Sequence, residues 1–246
     1  MSDEQHTTDL TLTTDEMFEV EGTRNLKWYG IPFYLSMMSL YSYLTVLITG
    51  TQWYVTPISW FVDMLVFYAW HVQAHHRLNW VPFNKVCHDW HNLHHQRFFP
   101  AKHFYGSVHA KEWVENCKNE WFLIKHALPL GELKPHESIQ NESFGLFMAI
   151  IVTALKYFVF RLPVNVIVAT IIQGFLVDFV GNYLHLSFHV DGHWLNQLEV
   201  YKELKYLHYE HHKGDTKHNY AIFFFGLDKF FETYVRDYKN KKNHRY

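Results

Sequence analysis

Four short histidine groups, each set just beyond a run of apolar residues, constrain this chain more than any other feature. They are His71-x3-His75, His91-x2-His94-His95, His185-x3-His189 and His208-x2-His211-His212. Spacings of three and four put side chains on one face of a helix, about one turn apart. Imidazoles so placed converge on a metal without distorting the backbone. The order repeats: apolar pair, HxxxH, spacer, HxxHH, then the same again, with 16 positions from His75 to His91 and 19 from His189 to His208. Two sets of five histidines, one in each half of the chain, predict two metal ions in one site. An all-imidazole donor set suits iron, zinc, copper or nickel rather than magnesium or calcium, which want oxygen.

The apolar runs fall into two close-coupled pairs: Ile31 to Val55 with Ile58 to Trp70, and Phe144 to Phe160 with Val164 to Leu184. Pro57 and Arg161 to Pro163 mark the turns between them. The mean hydropathy of the whole chain is slightly negative, but membrane segments are decided by local windows. These windows predict an all-α integral membrane protein, with four membrane-embedded helices in two hairpins and a helical cap carrying the histidines. Asp63 and Asp178 lie within apolar runs and are costly in a bilayer, so each is expected to face a polar partner inside the bundle. Asp178 is also two turns from His185, about 10 Å along the axis, too far to ligate the same metal.

Basic residues set the orientation. None lies between Thr49 and Pro57, whereas eight lie between Arg77 and Lys134 and ten from Lys202 onward. The positive-inside tendency puts both termini, the cap and the metal site on the cytosolic side. Residues 1–27 read as a polar, acid-rich tail and 237–246 as a basic one, flanking a domain over 28–236. The net charge of −2 gives a nucleic-acid partner no support. Cys87 and Cys117 form no CxxC pair and are expected to be free thiols.

The motifs resemble those of the fatty acid hydroxylase/sterol desaturase superfamily over roughly residues 58 to 233. YAWHVQAHHR is similar to that family's first histidine box, WHNLHHQRFFP to its second, and NYLHLSFH with LHYEHHKGDTKHNY to its third and fourth. FGLDKFFET resembles the aspartate-containing segment that follows them. Ala221 stands where the family usually has glycine, and Phe231-Glu232-Thr233 where it has an FGT-like triplet, which bears on substrate fit more than on metal binding.

The resemblance implies two iron ions, with zinc as another occupant, and dioxygen-dependent hydroxylation of a fatty acyl, sphingolipid or sterol C–H bond. It also implies an external electron donor, such as cytochrome b5 with a reductase, and no haem- or flavin-binding segment is visible in the chain. The membrane would be that of the endoplasmic reticulum in a eukaryote or the cytoplasmic membrane in a bacterium. Histidine-box desaturases are the alternative, although their first two boxes are generally further apart than here. A non-catalytic metal-binding membrane protein is the second alternative, and it would line a path across the membrane instead of clustering its histidines on one side.

His76, His88 and His193 border the ten-histidine set and, with Asn219, are candidates for metal contact or for orienting a ligand. His103, His109, His126, His136 and His218 read as loop residues. The run from Ala221 to Phe231 fits either a segment lying in the membrane interface, its apolar surface interrupted by Asp228 and Lys229, or a buried core helix.

Overall fold

The computed structural model describes residues 30–76, 78, 80, 84–128, 150–213 and 217–236. The two tails, His136 and the opening residues 144–149 of the third apolar run lie outside the described residues. All regular secondary structure among the described residues is helical, and none of it is strand.

Helix α1 (Gly30–Thr49) and helix α2 (Val55–His75) form the first hairpin. Gly50 makes the turn at a φ of +65°, a left-handed conformation with little steric cost for glycine. Pro57 is not in that turn but in the first turn of α2, where its missing N–H is one the helix would leave unpaired anyway. The second hairpin is α6 (Ile150–Val159) and α7 (Val164–Phe188). The last five residues of α6 form a π-helical turn, Leu155–Val159.

At 25 residues α7 spans about 37 Å at 1.5 Å per residue. It is the one described helix long and apolar enough to cross a membrane. Both α1 and α2 pack along it. A fully buried amide, Gln173, ties the three together: its Oε1 accepts from Trp60 Nε1 at 2.6 Å and its Nε2 donates to Thr45 Oγ1 at 2.8 Å. Asp63 and Asp178 both have polar partners one turn away on their own helices, Ser59 Oγ at 3.0 Å and Asn182 Nδ2 at 3.4 Å.

The cap is built from α3 (Asn84–Leu93) running into a π-helical turn, His94–Phe98, then α4 (Lys111–Cys117), α5 (Glu120–Ala127), α8 (Glu199–Lys213) and α9 (Gly226–Phe230). Its largest apolar core joins Leu123, Leu186, Phe188, Tyr201 and Leu204 beneath the end of α7. Cys117 belongs to that core, and both it and Cys87 are buried and outside any disulfide. Histidine boxes of the HxxxH type occupy the final turns of α2 and α7, where those helices enter the cap, and the HxxHH boxes lie on α3 with the π-helical turn that follows it and on α8. His126, expected in a loop, is instead on α5, with Nδ1 bonded to the Phe122 carbonyl and its ring stacked on that of Phe122.

Candidate metal centre

Ten imidazoles converge in two groups of five: His71, His75, His91, His95 and His211, and His94, His185, His189, His208 and His212. Within each group every donor atom lies within 4.8 Å of every other. These are the ten histidines of the four boxes, but they do not sort by half of the chain. Each HxxHH box sends its first and last histidines to the group of its own half and its middle one across. His94 joins the second-half set, and His211 joins the first.

Helix geometry explains the exchange. Residues four apart, such as His91 with His95 or His208 with His212, lie nearly in line along a helix, while the residue three on is offset to one side. With the groups side by side, the offset imidazole meets the neighbouring set. Their closeness is direct: the rings of His95 and His212, one from each group, have centroids 4.0 Å apart.

The spacing fits metal ligation. For metal–nitrogen bonds of about 2.1 Å, adjacent donors on a six-coordinate ion are about 3.0 Å apart. In the first group Nε2 of His75 is 2.7 Å from that of His91 and 3.4 Å from that of His71, and His91 is 3.2 Å from His95. In the second, Nε2 of His208 is 3.2 Å from His189 and 3.1 Å from His212.

Hydrogen bonds on the outer nitrogens set the tautomers. Nδ1 of His71 donates to the Tyr220 carbonyl (2.6 Å), that of His211 to His218 (2.6 Å), that of His189 to Phe104 (2.8 Å) and that of His212 to Phe99 (2.6 Å). A carbonyl only accepts, so the proton is on Nδ1 and the Nε2 lone pair points into the group. Nε2 of His94, His185 and His211 is buried with no hydrogen-bond partner in the protein, an arrangement that costs about 1–3 kcal/mol per group unless something else binds there.

The electrostatics agree. Burial, reinforced by neighbouring imidazoles, pushes His91, His94, His95 and His208 well below the ordinary histidine value. For His189, His211 and His212 burial has the same effect, only partly opposed by their backbone hydrogen bonds. All are neutral near pH 7, the form that ligates. Aromatic rings wall the groups off: Phe99 stacks on His189 at 4.0 Å, and Phe104 and Phe188 face His189 and His208 at 4.7 and 5.3 Å.

The bordering candidates lie elsewhere. His76 is exposed beyond the end of α2, so the first box is registered on His75. His88 spends both nitrogens on protein partners: Nδ1 donates to the Ala74 carbonyl (3.1 Å) and Nε2 accepts from Asn92 (3.0 Å), which pins α3 to α2. Buried His193 caps the turn at Trp194–Gln197 with Nδ1, and its Nε2 faces Tyr183 and Glu120. Asn219, at a φ of +56°, uses its amide on the backbone of Val235.

What the sequence reading missed is the set of backbone carbonyls that orient ligands, those of Phe99, Phe104, His218 and Tyr220, together with Asp228. That residue does not interrupt an apolar surface. It is fully buried, because its carboxylate is filled by two backbone N–H groups and a hydroxyl. The aspartate segment of the resembled family was the one signal pointing to it.

No family model matches the chain, and neither a curated protein nor a solved structure matches it.

Proposed function

We propose that this protein is an integral-membrane oxygenase that holds two iron ions on its ten box histidines and hydroxylates a C–H bond of a lipid. The observation that carries this reading is a pair of abutting, buried five-imidazole groups at the end of an apolar helical bundle. Five donors exceed the four of a closed structural zinc site and leave one position of a six-coordinate ion open to dioxygen. The irons supply dioxygen activation when bound. The chain supplies buried donors, four of them held in one tautomer by backbone carbonyls, and packs aromatic rings around them.

The bundle surface supports a lipid setting. Large apolar side chains face outward on all four helices of the two hairpins, among them Ile48, Ile58, Phe158 and Val164, each more than half exposed. Contiguous exposure on this scale is unusual against water and ordinary against acyl chains. With α1 at 20 residues and α2 at 21, both approach the roughly 20 residues a spanning helix needs. On this reading the two hairpins are embedded from the cytosolic side, and electrons arrive from an external donor such as cytochrome b5 and its reductase.

The test is iron content and dioxygen-dependent turnover of the detergent-purified protein, with lipid analysis of cells expressing wild type or His75→Ala. Two irons per chain, and a hydroxylated lipid absent from the variant, are expected. A product with a new double bond and no added oxygen would make the protein a desaturase. Bound metal without any dioxygen-dependent lipid product would leave a non-catalytic metal-binding protein.

A further inference from the structure

The two groups differ in what holds their orienting carbonyls. Those serving the second group, on Phe99 and Phe104, belong to a segment seated by its own buried aromatic rings. Those serving the first, on His218 and Tyr220, belong to a stretch with no regular secondary structure. Asn219 ties this stretch to the backbone of Thr233 and Val235, and one carboxylate holds the two residues that follow. Asp228 accepts from the N–H groups of Tyr220 (2.8 Å) and Ala221 (3.1 Å) and from Thr233 Oγ1 (2.8 Å). Thr233 Oγ1 in turn pairs with the Tyr68 hydroxyl at 2.7 Å, three residues before His71 on α2.

The decisive detail is a shared peptide plane. The Tyr220–Ala221 amide gives its N–H to Asp228 and its carbonyl to His71 Nδ1. Because a peptide unit is planar, anchoring one end aims the other. A carboxylate on the N–H also polarises the carbonyl, which strengthens its bond to the imidazole and makes Nε2 a better donor.

We propose that Asp228 is a positioning residue for the first metal group alone, acting through this peptide on His71, so that the two metals are held unequally. The proposal rests on the two-metal reading above. Asp228→Asn replaces one acceptor oxygen by an NH2 group that faces backbone N–H donors. It should weaken one metal about 10–100-fold, the range for loss of a group that orients a ligand, and leave the other at wild-type affinity.

The experiment is chelator competition on the full-length protein in detergent, loaded with zinc alone. Assignment comes from combination with ligand losses. In a His189→Ala background, where the first group retains all its donors, Asp228→Asn should weaken the remaining ion by that factor. In a His75→Ala background it should change the remaining ion's affinity by less than about twofold, as expected for sites that are not coupled. Thr233→Val, which removes one donor to the carboxylate, should give a smaller loss at the same group and decides the matter if Asp228→Asn does not fold. Equal weakening of both ions, no weakening, or a loss at the second group would overturn the proposal. A wild-type protein that binds fewer than two zinc ions would instead overturn the two-metal reading.

Discussion

His94 and His211 each serve the metal group of the opposite half, and this has a direct test. Combining His94→Ala with His189→Ala removes two donors from one group, so about one ion per chain should remain, held by the intact first group. Combining His94→Ala with His75→Ala removes one donor from each group, and both ions should be lost or weakened. Metal content after gel filtration in dilute chelator separates the two outcomes. The reverse pattern, with one ion kept when His94→Ala is combined with His75→Ala and both affected when it is combined with His189→Ala, would show that the histidines sort by half of the chain after all. The boxes themselves were legible because three- and four-residue spacings of a rare residue type carry their own geometry. The exchange was not, since positions three and four along share a helix face and only the meeting of the His94 and His95 rings with those of α7 and α8 decides between them. Backbone carbonyls were invisible for a simpler reason: every residue has one.

Helix α7 carries a histidine box in its final turns and packs along α2, and Gly181 leaves room there for two aromatic rings. A β-carbon there would lie 2.8 Å from the ring of Phe223 and 2.9 Å from that of Phe67, rigid groups already edge-to-face at 5.3 Å. Gly181→Ala should therefore destabilise the protein by about 1–3 kcal/mol, the usual cost of overpacking. A lowered Tm in detergent reads this out. Gly174→Ala, two turns earlier on α7, is the control, for its nearest neighbour would be Asp63 at an ordinary 3.8 Å. If both substitutions lower Tm alike, helix α7 does not approach its neighbours as described. The helices α2 and α7 could be placed from their apolar runs, but their close approach could not. Glycine in an apolar helix has many uses, and the aromatic residue that fills the space above Gly181 comes from a segment 42 positions later in the chain.

The outward apolar belt and the basic cap together make a prediction about the whole molecule. Tags at the N- and C-termini should be reached from the cytosol in sealed membranes, and a tag inserted after Gly50 should not be reached without detergent. Access to all three from one side would leave the bundle lying on the membrane instead of within it. The second hairpin was placed from its apolar pattern, and its turn at 160–163 lies where Arg161 to Pro163 stand in the sequence. The cap was harder to read, since α4 and α5 are short and carry no motif. Their place is set by packing, α5 against α7 and α4 against α5.

The exchanged histidines also bear on how the protein is made. The segment through His95 supplies four donors of the first group and a single donor of the second, and the fifth donor of the first arrives only with His211. The carbonyl that orients His71 comes later still, at Tyr220, and the carboxylate that aims it at residue 228. On the two-metal reading, neither ion can be fully enclosed while the first hairpin has emerged alone from the ribosome. On that reading, complete ligation of either ion is a late event of biosynthesis, reached only when both hairpins are in place.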